Sequence, residues 1–187
     1  VNPVLFKPLA YPDADRIFAV SDRARDGSPV QVTFGSYREL SQRNRTFEAL
    51  SVFKLWQPTL AGGQEPERLH AQRVTAGYFS ILRVAPALGP GFEASADRPG
   101  GSNVVILSDA LWRRRFAADT EIVGSQIRLD DDLYVVMGVM PPSFENVTVP
   151  LAQAWALLQY DAALPSFDAR EWGHHLDMIG RLRVGVG

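Results

Sequence analysis

Apolar and polar positions alternate along this chain in short runs, separated by clusters of Pro, Gly and Asp. After the turn at Tyr11-Pro12-Asp13, Arg16 to Val20 reads as a strand. Ser36-Tyr37-Arg38-Glu39 has the capping-box form, in which hydroxyl and carboxylate each accept an otherwise unpaired backbone N–H, so a helix is predicted from Ser36. Tyr37, Leu40, Phe47 and Leu50 would share its buried side, with Asn44 interrupting the stripe and the helix breaking into two pieces near Asn44–Thr46. Ser51 to Ala61 and Glu67 to Thr75 are extended runs around Gly62-Gly63, a hairpin signal because glycine accepts positive φ. Arg68, His70 and Gln72 alternate with Leu69, Ala71 and Arg73, which predicts that part of the second run is half exposed.

A short helix is expected over Ala76 to Leu82, and the Pro- and Gly-rich segment Pro86 to Gly101 reads as loop. Asn103 to Leu107 is a compact apolar strand, after which Ser108 caps a helix through Phe116. Gln126 to Leu129 and Leu133 to Val139 flank Asp130-Asp131-Asp132 as a second hairpin, closed off by Pro141-Pro142. Ala154 to Leu158 and His175 to Arg183 are further strands. Local hairpins with few interleaved helices predict an α+β fold with a mixed or antiparallel sheet, rather than a doubly wound parallel one. There is no internal repeat and no low-complexity tract.

Composition narrows the function. The 187 residues are 46% hydrophobic, which is the globular range. With 19 Lys and Arg against 21 Asp and Glu, the net charge of −2 argues against a nucleic-acid partner held by overall positive charge. The absence of cysteine removes disulfide frameworks, thiolate metal sites and cysteine nucleophiles, and fits an oxidising compartment. A bilayer span needs about 20 consecutive apolar residues. The longest uncharged stretch, Asn146 to Tyr160, is shorter and contains Pro150. Lys7, Pro8, Pro12 and Asp13 break up any signal-peptide core. The chain opens on the strand-like Val4-Leu5-Phe6 and stops on Gly185-Val186-Gly187, so both ends are expected to continue into something longer.

The inventory for chemistry is thin. A zinc site could combine His174, His175 and Asp177, but neighbours on a strand face opposite ways, and His70 is far off in sequence. Gly89-Pro90-Gly91 and Gly100-Gly101 read as turn makers, since Pro90 lacks the N–H that would cradle a phosphate. Arg113-Arg114-Arg115 spreads around a helix and reads as a solvated face rather than a phosphate-tracking stripe. Asp130-Asp131-Asp132 lacks the spaced ligands of a calcium loop and reads as an acidic turn. Trp56, Trp112, Trp155 and Trp172 are assigned mostly to core. No residue is singled out as catalytic, cofactor-binding, metal-binding or partner-binding, and no cofactor is expected.

Several segments together resemble one family. Asn2-Pro3-Val4-Leu5-Phe6-Lys7-Pro8-Leu9 with Tyr11-Pro12-Asp13 looks like the exit from the first transmembrane helix of MacB/FtsX-type ABC transporter permeases. Glu65-Pro66-Glu67-Arg68-Leu69, Val74-Thr75-Ala76-Gly77-Tyr78-Phe79 and Pro86-Ala87-Leu88-Gly89-Pro90-Gly91-Phe92 continue the likeness. So do Val104-Val105-Ile106-Leu107-Ser108, Leu111-Trp112-Arg113-Arg114-Arg115-Phe116 and Ile122-Val123-Gly124. Tyr134-Val135-Val136-Met137-Gly138-Val139-Met140-Pro141-Pro142 and Gly180-Arg181-Leu182 complete it, in order, over nearly the whole chain. The resemblance is to the MacB-like periplasmic core domain, especially in large acidobacterial permeases. Pro90 stands where a basic residue is common, and Val184 where Pro is common.

The resemblance implies an α+β periplasmic domain of an inner-membrane protein, with a porter-like portion at 1–99 and 145–187 and a smaller sabre-like lobe at 100–144. It implies a non-catalytic role in export or partner docking, driven by a cytoplasmic ATPase recruited from another polypeptide. The expected partners are the permease's own transmembrane domain, that ATPase, and a periplasmic adaptor or second permease copy. Two other classes compete: a soluble periplasmic small-molecule binding module, and a metal hydrolase using His174 or His175.

Overall fold

The computed structural model describes residues 11–62, 65–160 and 173–185. The predicted strand at Val4-Leu5-Phe6, the second glycine of Gly62-Gly63, and Trp172 lie outside them. The strands in chain order are β1 (Ile17–Val20), β2 (Asp22–Arg23), β3 (Pro29–Val30), β4 (Phe47–Trp56), β5 (Thr59–Ala61), β6 (Glu67–Arg68), β7 (Ala71–Val74), β8 (Val104–Leu107), β9 (Gln126–Leu129), β10 (Asp132–Val139), β11 (Ala154–Leu157) and β12 (Asp177–Leu182). The α-helices are α1 (Phe34–Arg43), α2 (Tyr78–Leu82) and α3 (Asp109–Phe116). The α+β class with a mixed sheet and few helices is therefore the observed one. The chain divides into two units: Val1–Lys54 with Gly77–Arg83 and Tyr160–Gly187, and Leu55–Ala76 with Val84–Gln159.

In the first unit β12 lies between β1 and β4, antiparallel to both, with Ala19 opposite Ile179 and Met178 opposite Val52. Helix α1 starts two residues before the predicted point. Thr33 is the N-cap, its Oγ1 accepting the Ser36 N–H at 2.9 Å, while the Ser36 hydroxyl donates to Asp22 at 2.8 Å. Either hydroxyl offers N-cap chemistry. Asp22 takes up the Ser36 hydroxyl and Thr33 is left as the cap. The predicted second helical piece is strand instead. Asn44 Oδ1 accepts the Phe47 N–H at 2.6 Å, and this local turn sends the chain into β4, which carries Phe47 and Leu50. Phe53 of β4 packs edge to face on Tyr78, and Tyr78 on Phe79, with ring centroids 5.8 and 5.3 Å apart.

In the second unit the strand order is β7-β11-β8-β10-β9-β5-β6. Strands β7 and β11 are parallel, β8 and β10 are parallel, and the other neighbours are antiparallel. The predicted β9–β10 hairpin forms, and Ser108 caps α3 by accepting the Leu111 N–H at 3.1 Å. Of the predicted runs Ser51 to Ala61 and Glu67 to Thr75, only the short β5 and β6 pair across the turn; each run is broken in two, with β7 pairing β11 in parallel. Helix α3 buries Leu111 and Trp112 against Val105, Leu107, Ile127, Leu129, Tyr134 and Val136. The loop from Pro86 is pinned on β10: Ala87 N–H donates to Val139 O at 2.8 Å and Gly91 N–H to Met137 O at 3.1 Å. Glycine is required there, because a Cβ on Gly89 would lie 2.4 Å from Met137 O and one on Gly138 2.7 Å from Leu88 O. The predicted lobe at 100–144 lies inside this unit.

Candidate functional site: a cleft in the second unit

Parallel strands β8 and β10 end on the same side, so their following segments meet there. After Leu107 the chain turns at Ser108 into α3, and after Val139 it runs through Met140-Pro141-Pro142. Met140 N–H donates to Leu107 O at 2.9 Å, joining the two segments, and Ser108 N–H donates to Gln153 O at 2.8 Å, fixing the first of them to the residue entering β11. Gln153 and His70 then close a pair: Gln153 N–H donates to His70 O at 2.7 Å, and His70 N–H to Gln153 Oε1 at 3.1 Å. These segments enclose a cleft of about 520 Å³, whose apolar wall is Met140, Pro141, Pro142, Phe144, Pro150 and Leu151. Leu151 is 69% exposed, whereas Phe144 is fixed edge to face on Trp155 at 5.6 Å.

The cleft has few free polar groups. The Gln153 carbonyl oxygens are used as above, and Asp109 accepts from Arg113 Nε at 2.8 Å. Of the three histidines only His70 lines it. Acyl or phosphoryl chemistry needs a nucleophile held by a base that is itself oriented. The cleft's geometry suits contact with an apolar group.

The other candidate residues are not brought together. His174 Nδ1 lies 2.6 Å from Gln31 O and 3.8 Å from Asp22. His175 Nδ1 lies 2.7 Å from Gly173 O, and its Nε2 lies 2.6 Å from the Tyr160 hydroxyl, which also accepts from Lys54 Nζ at 2.8 Å. Both histidines precede β12, so the expectation of a strand from His175 gives way to one that starts at Asp177. Among the described residues no three His, Asp or Glu side chains are placed to hold a metal ion.

The basic run does more than solvate a helix face. Arg114 makes two bonds to the Glu67 carboxylate, at 2.8 and 2.6 Å, and Arg115 donates to Gly62 O at 2.6 Å and Glu65 O at 3.3 Å. Helix α3 thus clamps the β5–β6 hairpin, and the Arg114 hydrogen bond holds the Glu67 carboxyl below its usual range. The acidic run is a turn: Asp130 has φ 54° and its Oδ1 accepts the Thr59 N–H at 2.8 Å.

Sequence reading missed three polar groups held in the fold, Gln72 and Arg181 buried and Arg73 half-buried. Gln72, expected on the half-exposed side, is fully buried: its Nε2 donates to Thr148 at 3.0 Å, and its Oε1 accepts from Asn146 at 2.6 Å and Trp155 Nε1 at 2.9 Å. The register pairs Trp155 with Gln72, a relation between strands far apart in sequence. Arg73 lies 4.1 Å from the Trp56 ring centre and donates to the Tyr134 hydroxyl at 2.6 Å. In the first unit Arg181 is 1% exposed and donates to the carbonyls of Ile81, Asp13 and Pro12 at 2.7, 3.0 and 3.1 Å. Burial lowers its affinity for a proton, and the nearby Arg83 and Arg16 charges act the same way.

A family model described as the MacB-like periplasmic core domain matches residues 7–180. Among solved structures, a domain described as part of a permease protein from Porphyromonas gingivalis superposes with a TM-score of 0.69 at 17% identity, covering 96% of this chain and 78% of that one. The periplasmic region of MacB from Actinobacillus actinomycetemcomitans gives 0.65 at 12% identity, covering 92% and 77%. The extracellular domain of the noncanonic ABC-type transporter YknZ from Gram-positive bacteria gives 0.62 at 12% identity, covering 90% and 84%. At these identities the likeness is one of fold. The search of curated proteins finds no significant match.

Proposed function

The chain belongs to the MacB-like periplasmic core domain family, and from that premise we propose that it couples the movement of a permease's transmembrane helices to export or partner docking outside the membrane. The observation that carries this reading is the family match, which runs in one piece from residue 7 to residue 180. The domain works without making or breaking covalent bonds. Energy comes from a recruited cytoplasmic ATPase, and the movement arrives through the permease's own transmembrane domain. A periplasmic adaptor or a second permease copy is the partner outside. Strand β8, helix α3 and the β9–β10 hairpin make up most of 100–144, which we read as the sabre-like lobe, with 1–99 and 145–187 as the porter-like portion. Among the described residues no helix is long and apolar enough to cross a membrane.

Calorimetry with ATP tests the division of labour. The chain is expected to bind none, because nucleotide binding belongs to the ATPase; micromolar affinity would overturn the assignment. The cleft in the second unit favours a second reading, a binding module for a small apolar molecule. A saturable rise in Tm with such a ligand, lost in Phe144→Ala, would support that reading.

A further inference from the structure

The chain leaves the second unit for the first at two points, after Ala76 and after Gln159. Both exits are tied to one side chain. Asp97 Oδ2 accepts the Ala76 N–H at 2.9 Å, and Asp97 Oδ1 accepts the Gln159 N–H at 2.9 Å. The bonds span 21 and 62 residues of sequence, so they join segments that local structure alone would not hold together. Gln159 is itself fixed in an uncommon state. Its φ is 53°, a left-handed conformation that is costly for a residue with a Cβ. Its side-chain amide donates to Ala96 O at 3.1 Å and Ser102 O at 3.0 Å, on either side of the loop that carries Asp97. Just before the exits, Leu158 N–H donates to Val74 O at 2.8 Å, continuing the pairing of β11 with β7.

We propose that Asp97 is a positioning residue that yokes these two exits, so that the ends of β7 and β11 open and shift as one. The loop from Pro86 to Gly101 supplies the yoke, and the carboxylate with its two oxygens lets a single residue hold both strand ends. A hydroxyl or carboxamide has one acceptor oxygen where a carboxylate has two. Bonds from N–H to an ionised carboxylate are also stronger than neutral ones. Burial pushes the Asp97 carboxyl above its usual range while the two N–H donors pull it down, as expected for a group placed for its bonds rather than for solvation. The use of the yoke, passing movement between exits, rests on the coupling role proposed above. The yoke itself does not.

Amide hydrogen exchange on the intact chain tests it directly. With Asp97 present, the Ala76 and Gln159 amides are expected to share one opening constant. In Asp97→Ala both should exchange at least about tenfold faster and independently of each other, while Val105 and Ile106 in β8 keep their protection. Asp97→Asn should release one of the two amides more than the other. Different opening constants in the unsubstituted chain, or equal acceleration in β8, would overturn the proposal. Should Asp97→Ala not fold, Gln159→Gly gives the second measurement: it removes the Ala96 and Ser102 tethers but keeps the backbone N–H that Asp97 holds. The amide at position 159 should then keep its match to Ala76, and a lost match would show that the side-chain tethers rather than Asp97 join the two exits and would overturn the proposal. None of these readouts involves transport, so the yoke and the coupling role can fail separately.

Discussion

The two units bury polar groups in opposite ways. The first encloses a cation, Arg181, against three carbonyls, with Asp13, Arg16, Glu48 and Arg83 forming ion pairs around it. The second buries a neutral network of Gln72, Asn146, Thr148 and Trp155, and keeps its Arg114–Glu67 pair at the surface, where Arg114 is half exposed. A buried charge repays its desolvation only while its partners stay in place. A satisfied neutral network carries a smaller desolvation cost. The first unit's integrity therefore depends on the Tyr11-Pro12-Asp13 turn and the end of α2 remaining docked on β12. The second depends on packing.

Removing the buried cation should be the most damaging change. Arg181→Ala removes the buried donor to the Ile81 carbonyl and the bonds that dock the Pro12 and Asp13 carbonyls, and opens a void, for an expected loss of about 3–4 kcal/mol in urea unfolding. Gln72→Leu strands the Asn146 and Trp155 donors and should cost about 2–3 kcal/mol. If Gln72→Leu proved the more destabilising of the two, the contrast between the units would be broken.

The surface clamp should matter less. Glu67→Gln is expected to cost about 0.5–1 kcal/mol, since Arg114 is solvent-screened. Its pH signature is specific. The folded-state carboxyl of Glu67 binds its proton less tightly than the unfolded one, so its contribution is present above the ordinary carboxylate range and lost as pH falls through the lowered value. Asp97, shifted the other way, should contribute a loss of stability as pH rises just above that range. Acid titration of Tm in Glu67→Gln should therefore show a smaller drop than in the unsubstituted chain.

The smallest effect is a gain. Ala117 closes α3 with φ 51°, so Ala117→Gly should relieve strain worth about 1 kcal/mol, partly offset by added freedom of the unfolded chain. A net rise of about 1–3 °C in Tm is expected for a chain of this size.

Local chemistry made part of this fold legible. Ser108 announces α3 because a hydroxyl before an apolar run satisfies the helix's own N–H groups, and the Asp130 turn joins two apolar runs that pair with each other, β9 with β10. The start of α1 is decided by Asp22, 14 residues from Ser36, and that competition leaves no local trace. Gln72 reads as an exposed alternate position because its partners Asn146, Thr148 and Trp155 are more than 70 residues away. Arg114 and Arg115 look solvated for the same reason, since Glu67 and Gly62 reach them only once the hairpin folds. The candidate cleft was not legible, because the parallel alignment of β8 with β10 that forms it is a fact of topology. The family resemblance was legible because it rests on ordered segments along the whole chain.

The central claim is that this domain sits outside the membrane as part of a permease. The chain has no cysteine, so Leu151→Cys in the full-length protein, at a position 69% exposed, gives a single reporter within this domain. Intact cells whose outer permeability barrier is opened are treated with a membrane-impermeant maleimide. Labelling without lysis, in a protein that fractionates with the inner membrane, is the predicted result. Labelling only after the inner membrane is ruptured, or recovery of the protein in a soluble fraction, would contradict the account.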